Sequence, residues 1–324
     1  MSRAAVCGEY GPPEVVRVQE YPVPAAGTGQ VGVRVQAAAV NFPDVLLVAD
    51  AYQISVPTPF VPGSEFAGVV DEVGSQTTGF AIGDRVTGTG LSGAFAERVV
   101  VDAASLAPIP DGVDAATAAA FGVAHRTAYH TLRSVARLRA GDELVVLGAG
   151  GGVGLAAVQL GVALGADVTA VASSAEKLEV AADHGASRLV NHRLGELRAA
   201  LRDAVPDGAD VVVDPVGGEL SEPALRALRR GGRFVTVGFA SGVIPRIPLN
   251  LVLIKGIQVL GFQFQDVPPA EFDRNESELR DLLTSGRVAP YVHAVYPLAE
   301  AAEALRHVAD GRAIGKVLID ATRT

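Results

Sequence analysis

The chain has a single cysteine, Cys7, in 324 residues. One thiol closes no disulfide within its own chain, and it rules out a four-cysteine structural zinc site. Histidine is scarce too, with six, at positions 125, 130, 184, 192, 293 and 307. His125 and His130 stand five apart, which turns them to different faces of a helix and away from the i, i+4 spacing of helical metal ligands. No local set supplies three converging ligands, so a catalytic zinc is not expected. Basic charge is short as well: 27 Lys and Arg against 36 Asp and Glu, a net charge of −9. That balance excludes nucleic acid or an anionic membrane as the main partner. A spanning segment is missing. The nearest approach is Leu144 to Ala166, where Gln159 is the only strongly polar side chain. Glycines break that stretch after four strand-like residues and leave a helix shorter than the ~20 residues a span requires. Met1 to Glu9 has no apolar core of signal-peptide length, and no repeat or low-complexity tract stands out, so a cytoplasmic protein is the expectation.

What is present is a large apolar fraction, 49%, enough to fill the cores of two domains at a length of 324 residues. The most informative stretch runs from Leu144 to Ala172. Leu144–Leu147 has strand length and β-branched content, Gly148 to Gly154 is a glycine-rich turn, Leu155 to Leu164 suits a helix, and Asp167–Ala172 closes the unit as a second strand. Strand, turn, helix and strand within about 30 residues is the size of a βαβ unit. The glycines have a physical reason. Side chains at the turn would keep a pyrophosphate from the amides at the helix N-terminus, where unpaired N–H groups and the helix dipole favour an anion. The best register is Ala149-x-Gly151-x-x-Gly154, with Ala in place of the usual first Gly. Gly151, Gly152, Val153 and Gly154 are therefore the expected pyrophosphate cradle.

Residues 1 to about 120 read as mostly β. Val15–Val18, Val31–Val35, Gly68–Val73, Arg85-Val86 and Ala94–Val101 are short strand candidates between Gly, Pro and Asn breakers, a texture that suits a barrel-like sheet domain. Ala115–Arg137 is helical, interrupted at Gly122, and the domain boundary is placed near Phe121. Beyond it strands and helices alternate. The strands are Leu144–Leu147, Asp167–Ala172, Arg188–Val190, Ala209–Val213, Gly232–Val237 and Ile257–Leu260. The helices are Gly152–Leu164, Ala175–His184, Leu194–Ala204 and Leu220–Arg229. Such alternation predicts a parallel, doubly wound α/β sheet with the ligand at the carboxyl ends of its strands. From Pro290 the chain returns to extended texture at Val292–Val295 and Lys316–Ile319 around a helix, Leu298–Ala309. This tail either re-enters the first domain or extends the second. The expected domains are 1–121 completed by 290–324, and 122–289.

Dinucleotide sites commonly place an Asp or Glu after the second strand to bind the adenosine ribose. Here Ala172-Ser173-Ser174 stands there instead, with no acid to repel a phosphate. Lys177 follows within a helical turn, and His192 and Arg193 come at the end of the next strand. The pattern favours NADPH over NADH through Ser173, Ser174, Lys177 and His192. The competing reading is a plain helix cap at Ser173 and a solvated Lys177.

Four motifs in order carry a resemblance: Ala39-Val40-Asn41-Phe42-Pro43-Asp44, Pro62-Gly63-Ser64-Glu65-Phe66-Ala67-Gly68, Gly83-Asp84-Arg85-Val86 and the glycine turn. Over nearly its whole length the chain resembles the zinc-independent quinone oxidoreductase (ζ-crystallin-like) branch of the medium-chain dehydrogenase/reductase superfamily. The zinc alcohol dehydrogenases of that superfamily carry Cys where Asn41 stands and His where Ser64 stands. The resemblance implies a GroES-like N-terminal domain, a Rossmann domain and a tail that completes the first. It implies that Asn41 and Asp44 line a cleft near the nicotinamide and that Thr127 contacts the cofactor. Val216, Phe239 and Ala240 would lie at the nicotinamide half, and Phe262, Gln263 and Phe264 would flank cofactor and substrate. For Phe239 and Phe262 core packing is the alternative. His192 departs from the pattern, since many relatives have Tyr there. Tyr52, in Ala51-Tyr52-Gln53, either donates a proton or shapes the pocket wall; an enone or enoyl thioester needs a positioned acid, whereas a quinone needs little help. The expected activity is NADPH-dependent hydride transfer to quinones or α,β-unsaturated carbonyls. The alternatives are an enoyl (thioester) reductase, or an NADPH-binding sensor or structural protein without turnover. Relatives commonly pair edge strands as homodimers, which points to Ile257–Phe262 as the interface, unless a loop covers that edge.

Overall fold

A computed structural model describes residues 1–323, which divide into two compact units: Met1–Val123 with the tail from Ala289, and Ala124–Val288. The first unit runs β1 (Ser2–Cys7), β2 (Val16–Tyr21), β3 (Gln30–Val40), α1 (Phe42–Val48), β4 (Glu65–Val73), β5 (Arg85–Thr89), β6 (Arg98–Asp102) and β7 (Leu106–Pro108) before α2 (Ala115–His130). The second runs β8 (Glu143–Leu147), α3 (Gly152–Ala163), β9 (Asp167–Ala172), α4 (Ala175–Asp183), β10 (Arg188–Asn191), α5 (Leu197–Ala204), β11 (Ala209–Asp214), α6 (Ser221–Ala227), β12 (Leu228–Thr236), α7 (Leu249–Lys255), β13 (Gln258–Gly261) and α8 (Pro269–Thr284). The tail adds β14 (Val292–Pro297), α9 (Ala301–Ala309) and β15 (Lys316–Asp320).

In the first unit one sheet has the order β14-β15-β3-β4-β5-β7, with β6 also on β3, and β1 and β2 form a separate antiparallel pair. The tail thus joins this sheet through β15, which pairs antiparallel with β3. β3 is the long central strand because Val31, Val33 and Val35 turn inward at every second position while Arg34 faces solvent. Its register matters for the site below. Ala39 lies opposite Glu65 on β4, and Val40 lies opposite Val317 on β15. Glu65 and Lys316 are therefore both delivered to the end of β3, where Asn41 begins.

The second unit is a six-stranded parallel sheet of order β10-β9-β8-β11-β12-β13, the doubly wound arrangement expected from the alternation of elements. α3 is buried on nearly all sides, from Gly154 through Gly161, which accounts for its uniformly apolar sequence. Gly161 lets it lie close on β8, since a Cβ there would stand 2.6 Å from Leu144 Cδ2.

Several boundaries depart from the sequence reading. α2 continues through Gly122 and ends in a π-helical turn, Thr131–Val135. Gly122 is there for space: a Cβ would meet Glu65 Oε2 at 3.0 Å, and the neighbouring Val123 N–H donates to that same oxygen at 2.7 Å. The expected strand at Ala94 begins only at Arg98, because Phe95 and Glu97 spend their backbone groups on Ala5, Arg3 and Val35. α5 starts at Leu197 rather than Leu194. α1, α7 and α8 fall where no helix was expected.

Candidate functional site

The second unit presents a cradle at the carboxyl end of β8. Gly148 has a φ of +61°, which favours glycine, and a Cβ on it would press Val216 Cγ2 at 2.6 Å. A Cβ on Gly150 would press Lys177 Cγ at the same 2.6 Å. A Cβ on Gly154 would run into the Gly148 carbonyl oxygen, so this position is closed to any side chain. Gly151 caps α3 in extended conformation with no side-chain hydrogen bond, and Gly152 and Val153 open the helix. The first-turn amides are left for a ligand, and the dipole behind them favours an anion. These residues fit a dinucleotide pyrophosphate.

Beyond β9, Ser174 rather than Ser173 caps α4, its hydroxyl accepting the Lys177 N–H at 3.3 Å. Ser173 is half-buried beside it. Lys177, His192 and Arg193 come close enough to feel one another. Burial lowers the Lys177 pKa and the charge of Arg193 lowers it further, against the opposing pull of Glu176. Burial likewise lowers His192, helped by Arg193 and Lys177. The repulsion that Arg193 exerts on Lys177 and His192 is what a phosphate would relieve.

The loops after β11 and β12 form a third part of this unit. Asp214 is fully buried. One of its oxygens takes the Val216 and Gly217 N–H groups at 2.8 Å each, and the other takes the Ser221 hydroxyl at 2.6 Å. The Ala240 N–H donates to Pro215 O at 3.2 Å, and Ser241 N–H to Val216 O at 2.9 Å, which ties Phe239 and Ala240 to the Val216 loop. Asp214 escaped the sequence reading; its signal was an acid at a strand end followed by Pro-Val-Gly-Gly. Thr127 lies half-buried on α2. Phe262 and Phe264 meet edge to face at 4.8 Å and pack on His130, Arg126 and Phe272. Gln263 between them is exposed. Neither ring is buried in the hydrophobic core.

The first unit holds a buried polar cluster. Asn41 Nδ2 donates to Glu65 Oε1 at 2.8 Å and to Ser64 Oγ at 3.2 Å. Lys316 Nζ donates to Asn41 Oδ1 at 2.6 Å and Glu65 Oε1 at 2.7 Å, with both side chains of this ion pair at most 3% exposed. Asp44, at the third position of α1, accepts the Asn41 N–H at 2.7 Å. Its carboxyl is fully buried, and burial pushes its pKa from 3.8 up to about 7. The Asn41 amide, the Ser64 hydroxyl and Lys316 oppose that rise, and Glu65 adds to it. The cation of this cluster is the Lys316 ammonium, so a divalent metal would have to displace it from both oxygens it holds. Among the described residues no group of three His, Cys, Asp or Glu side chains is arranged to hold a metal. Tyr52 packs its ring partly buried against the same unit's core. Lys316 and Glu65 were absent from the expected site, because their partnership spans 251 residues and leaves no local trace.

Comparison with known proteins bears on both units. The family described as alcohol dehydrogenase GroES-like domain matches residues 27–111, and the one described as zinc-binding dehydrogenase matches residues 152–281. A mouse protein named quinone oxidoreductase-like protein 2 is 36% identical over 324 residues, covering 98% of this chain and 91% of that protein. Among solved structures, Escherichia coli quinone oxidoreductase complexed with NADPH superposes with a TM-score of 0.92 at 27% identity, over 98% of this chain and 100% of the other. A structure described as an NAD-dependent alcohol dehydrogenase matches with a TM-score of 0.90 at 33% identity, over 98% and 99% of the two chains.

Proposed function

We propose, for a chain that belongs to the quinone oxidoreductase-like branch of the medium-chain dehydrogenase/reductase superfamily, that it is a zinc-independent reductase using NADPH on quinones or α,β-unsaturated carbonyls. The observation that carries the cofactor half is the Lys177, His192 and Arg193 cluster beyond a β9 that ends in serines rather than an acid. Relatives with either nicotinamide cofactor share this fold, so the preference rests on that cluster. NADPH, when bound, supplies a hydride. The chain's own residues do the rest. Gly151, Gly152, Val153 and Gly154 take the pyrophosphate, and Ser173, Ser174, Lys177 and His192 take the extra phosphate. Thr127, Val216, Phe239, Ala240, Phe262, Gln263 and Phe264 orient the nicotinamide half. Asn41 and Asp44 position the substrate end, and Tyr52 suits a pocket wall. Zinc independence is supported by the Lys316 ammonium, which already neutralises Glu65 and satisfies Asn41.

A homodimer is supported by the outer edge of β13, which has no strand partner among the described residues. On β13 itself Val259 is exposed at 43%, and on α7, which precedes it in the chain, Leu249, Leu253 and Ile254 are exposed at 75%, 83% and 61%.

The test is steady-state kinetics with NADPH and NADH against a quinone and an enone, for the native chain and for Lys177→Ala. We expect NADPH to be preferred and the preference to fall about tenfold in the variant, the loss of one charge-assisted phosphate contact. An unchanged ratio removes Lys177 from the site. NADPH binding with no oxidation by either acceptor makes the protein a sensor instead.

A further inference from the structure

The segment that follows β13 is exposed from Gln263 to Asp266, and its backbone folds back on itself, with the Asp266 N–H on Gln263 O at 3.1 Å and the Val267 N–H on Phe264 O at 3.2 Å. Its rings fasten it to the rest of the second unit. Phe262 lies nearly parallel to the His130 ring, at 6.5 Å and 20°, and Phe264 meets that ring edge to face at 5.7 Å. His130 in turn stacks on Phe272 at 4.8 Å and 19°. The Arg126 guanidinium carbon stands 5.5 Å from the centroids of both Phe264 and Phe272, within reach of a cation–π attraction.

This platform is made from two helix faces. Arg126 and His130 are four apart on α2, and Phe272 and Glu276 are four apart on α8, so each pair shares one side of its helix. Glu276 joins them. Its Oε1 accepts His130 Nε2–H at 2.9 Å and Arg126 Nε–H at 3.0 Å. The other nitrogen of His130 faces the Asn275 amide, whose Nδ2 donates to it at 3.3 Å. A ring nitrogen that accepts carries no proton, which leaves the ring's hydrogen on Nε2, pointed at Glu276. One carboxylate therefore sets the plane of the ring on which Phe262 and Phe264 rest, and the place of the cation beside Phe264. His130 is wholly buried, so without Glu276 its N–H would lie unpaired, a state that rotation of the ring would relieve.

We propose that Glu276 is a positioning residue for hydride transfer: through His130 and Arg126 it holds the Phe262–Phe264 wall at the angle the nicotinamide half requires. Its role rests on the NADPH-reductase reading, in which Phe262, Gln263 and Phe264 orient that half. Glu276 acts through the rings and exchanges no proton or electron in the reaction.

The experiment is a double-variant cycle on the full-length protein with NADPH and a quinone, measuring kcat, KM, NADPH affinity by calorimetry and thermal unfolding. Phe264→Ala removes a wall ring directly and should lower kcat about tenfold. Glu276→Ala should lower kcat by a similar factor while NADPH affinity stays within about threefold of the native value. Changes that act through one wall are not additive, so Glu276→Ala combined with Phe264→Ala should stay within about twofold of Phe264→Ala alone, where independent losses would multiply to about 100-fold. Glu276→Gln keeps an acceptor for His130 and should recover most of the rate. Should Glu276→Ala fail to fold, Phe272→Leu takes its place in the cycle under the same criterion, since it keeps apolar volume but removes the ring that His130 and Arg126 pack on. Multiplying losses, a native kcat in Glu276→Ala, or a kcat that falls only as far as NADPH affinity does overturns the role of Glu276 and leaves the reductase reading standing. Failure of that reading looks different: the native protein then oxidises no NADPH with the quinone, or Phe264→Ala turns over at the native rate, and the proposal falls with it.

Discussion

Asp44→Asn offers a measurement of what burying an acid beside an ion pair costs this fold. The folded carboxyl keeps its proton to about pH 7, whereas in the unfolded chain it loses it near the ordinary 3.8. Between those values the folded state binds more protons than the unfolded state. Stability from this group is therefore fully present below the unfolded value and is lost as pH rises through the folded one. A three-unit separation is worth about 4 kcal/mol once both states are ionised, and about 2–3 kcal/mol of that falls between about pH 5 and about pH 8. The amide is close in shape, cannot ionise, and its oxygen can still accept the Asn41 N–H that starts α1. The assay is denaturant unfolding of both proteins at the two pH values. The quantity compared is the difference between their pH dependences, which cancels any uniform effect of the substitution. The native chain should lose more stability than the variant on going from about pH 5 to about pH 8, by about 2–3 kcal/mol. Equal slopes would show that Asp44 ionises in the folded state much as it does in water. A steeper slope in the variant would reverse the sign of the argument.

Other consequences are as direct. Lys316→Met strands Glu65 without its cation, and thermal unfolding should report a loss of about 3–5 kcal/mol; adding Glu65→Leu should recover most of it, since exchanging a whole buried pair for apolar groups is often neutral. Gly154→Ala puts a methyl against the Gly148 carbonyl. It should weaken NADPH binding at least tenfold by calorimetry and destabilise the fold by about 1–3 kcal/mol; an unaffected affinity would mean that this turn does not hold the cofactor. Leu253→Asp places a charge on the exposed apolar side of α7. Sedimentation should then show a dimer for the native chain and a monomer for the variant, and identical profiles would place no interface on this face.

How much of this was legible in the sequence divides along the distance between partners. The parallel sheet could be read because each βαβ unit is a local event, in which β-branched runs, a turn and an amphipathic or fully apolar helix follow one another within about 30 residues. Gly154 could be read because its constraint lies against Gly148 of the same turn. α8 was missed for the opposite reason. Of its sixteen residues only Asn275 and Leu279 are buried, so it carries too thin an apolar stripe to stand out among charges, although Pro269 and Glu271 mark its start. Ser174 and Ser173 could not be ranked as caps from composition, since only the backbone decides which hydroxyl meets the Lys177 amide.

The polar cluster is the instructive case. Asn41 and Asp44 were found as motif letters, but their chemistry depends on Lys316, which arrives on β15 because Val317 pairs with Val40. A one-residue slip in that pairing would turn Lys316 to the opposite face of the sheet and leave Glu65 buried and uncompensated. The apolar run of β15, with Val317, Leu318 and Ile319 all buried, therefore does more than build core. By fixing the register it fixes where a positive charge lies, and so which of the two buried acids has an ion-pair partner. Glu65 receives the ammonium directly, while Asp44, farther from it and fully enclosed, keeps its proton to about pH 7. A strand register chosen by hydrophobic packing thus separates two carboxyls of one cluster into one held against an ammonium and one that burial pushes up to about 7.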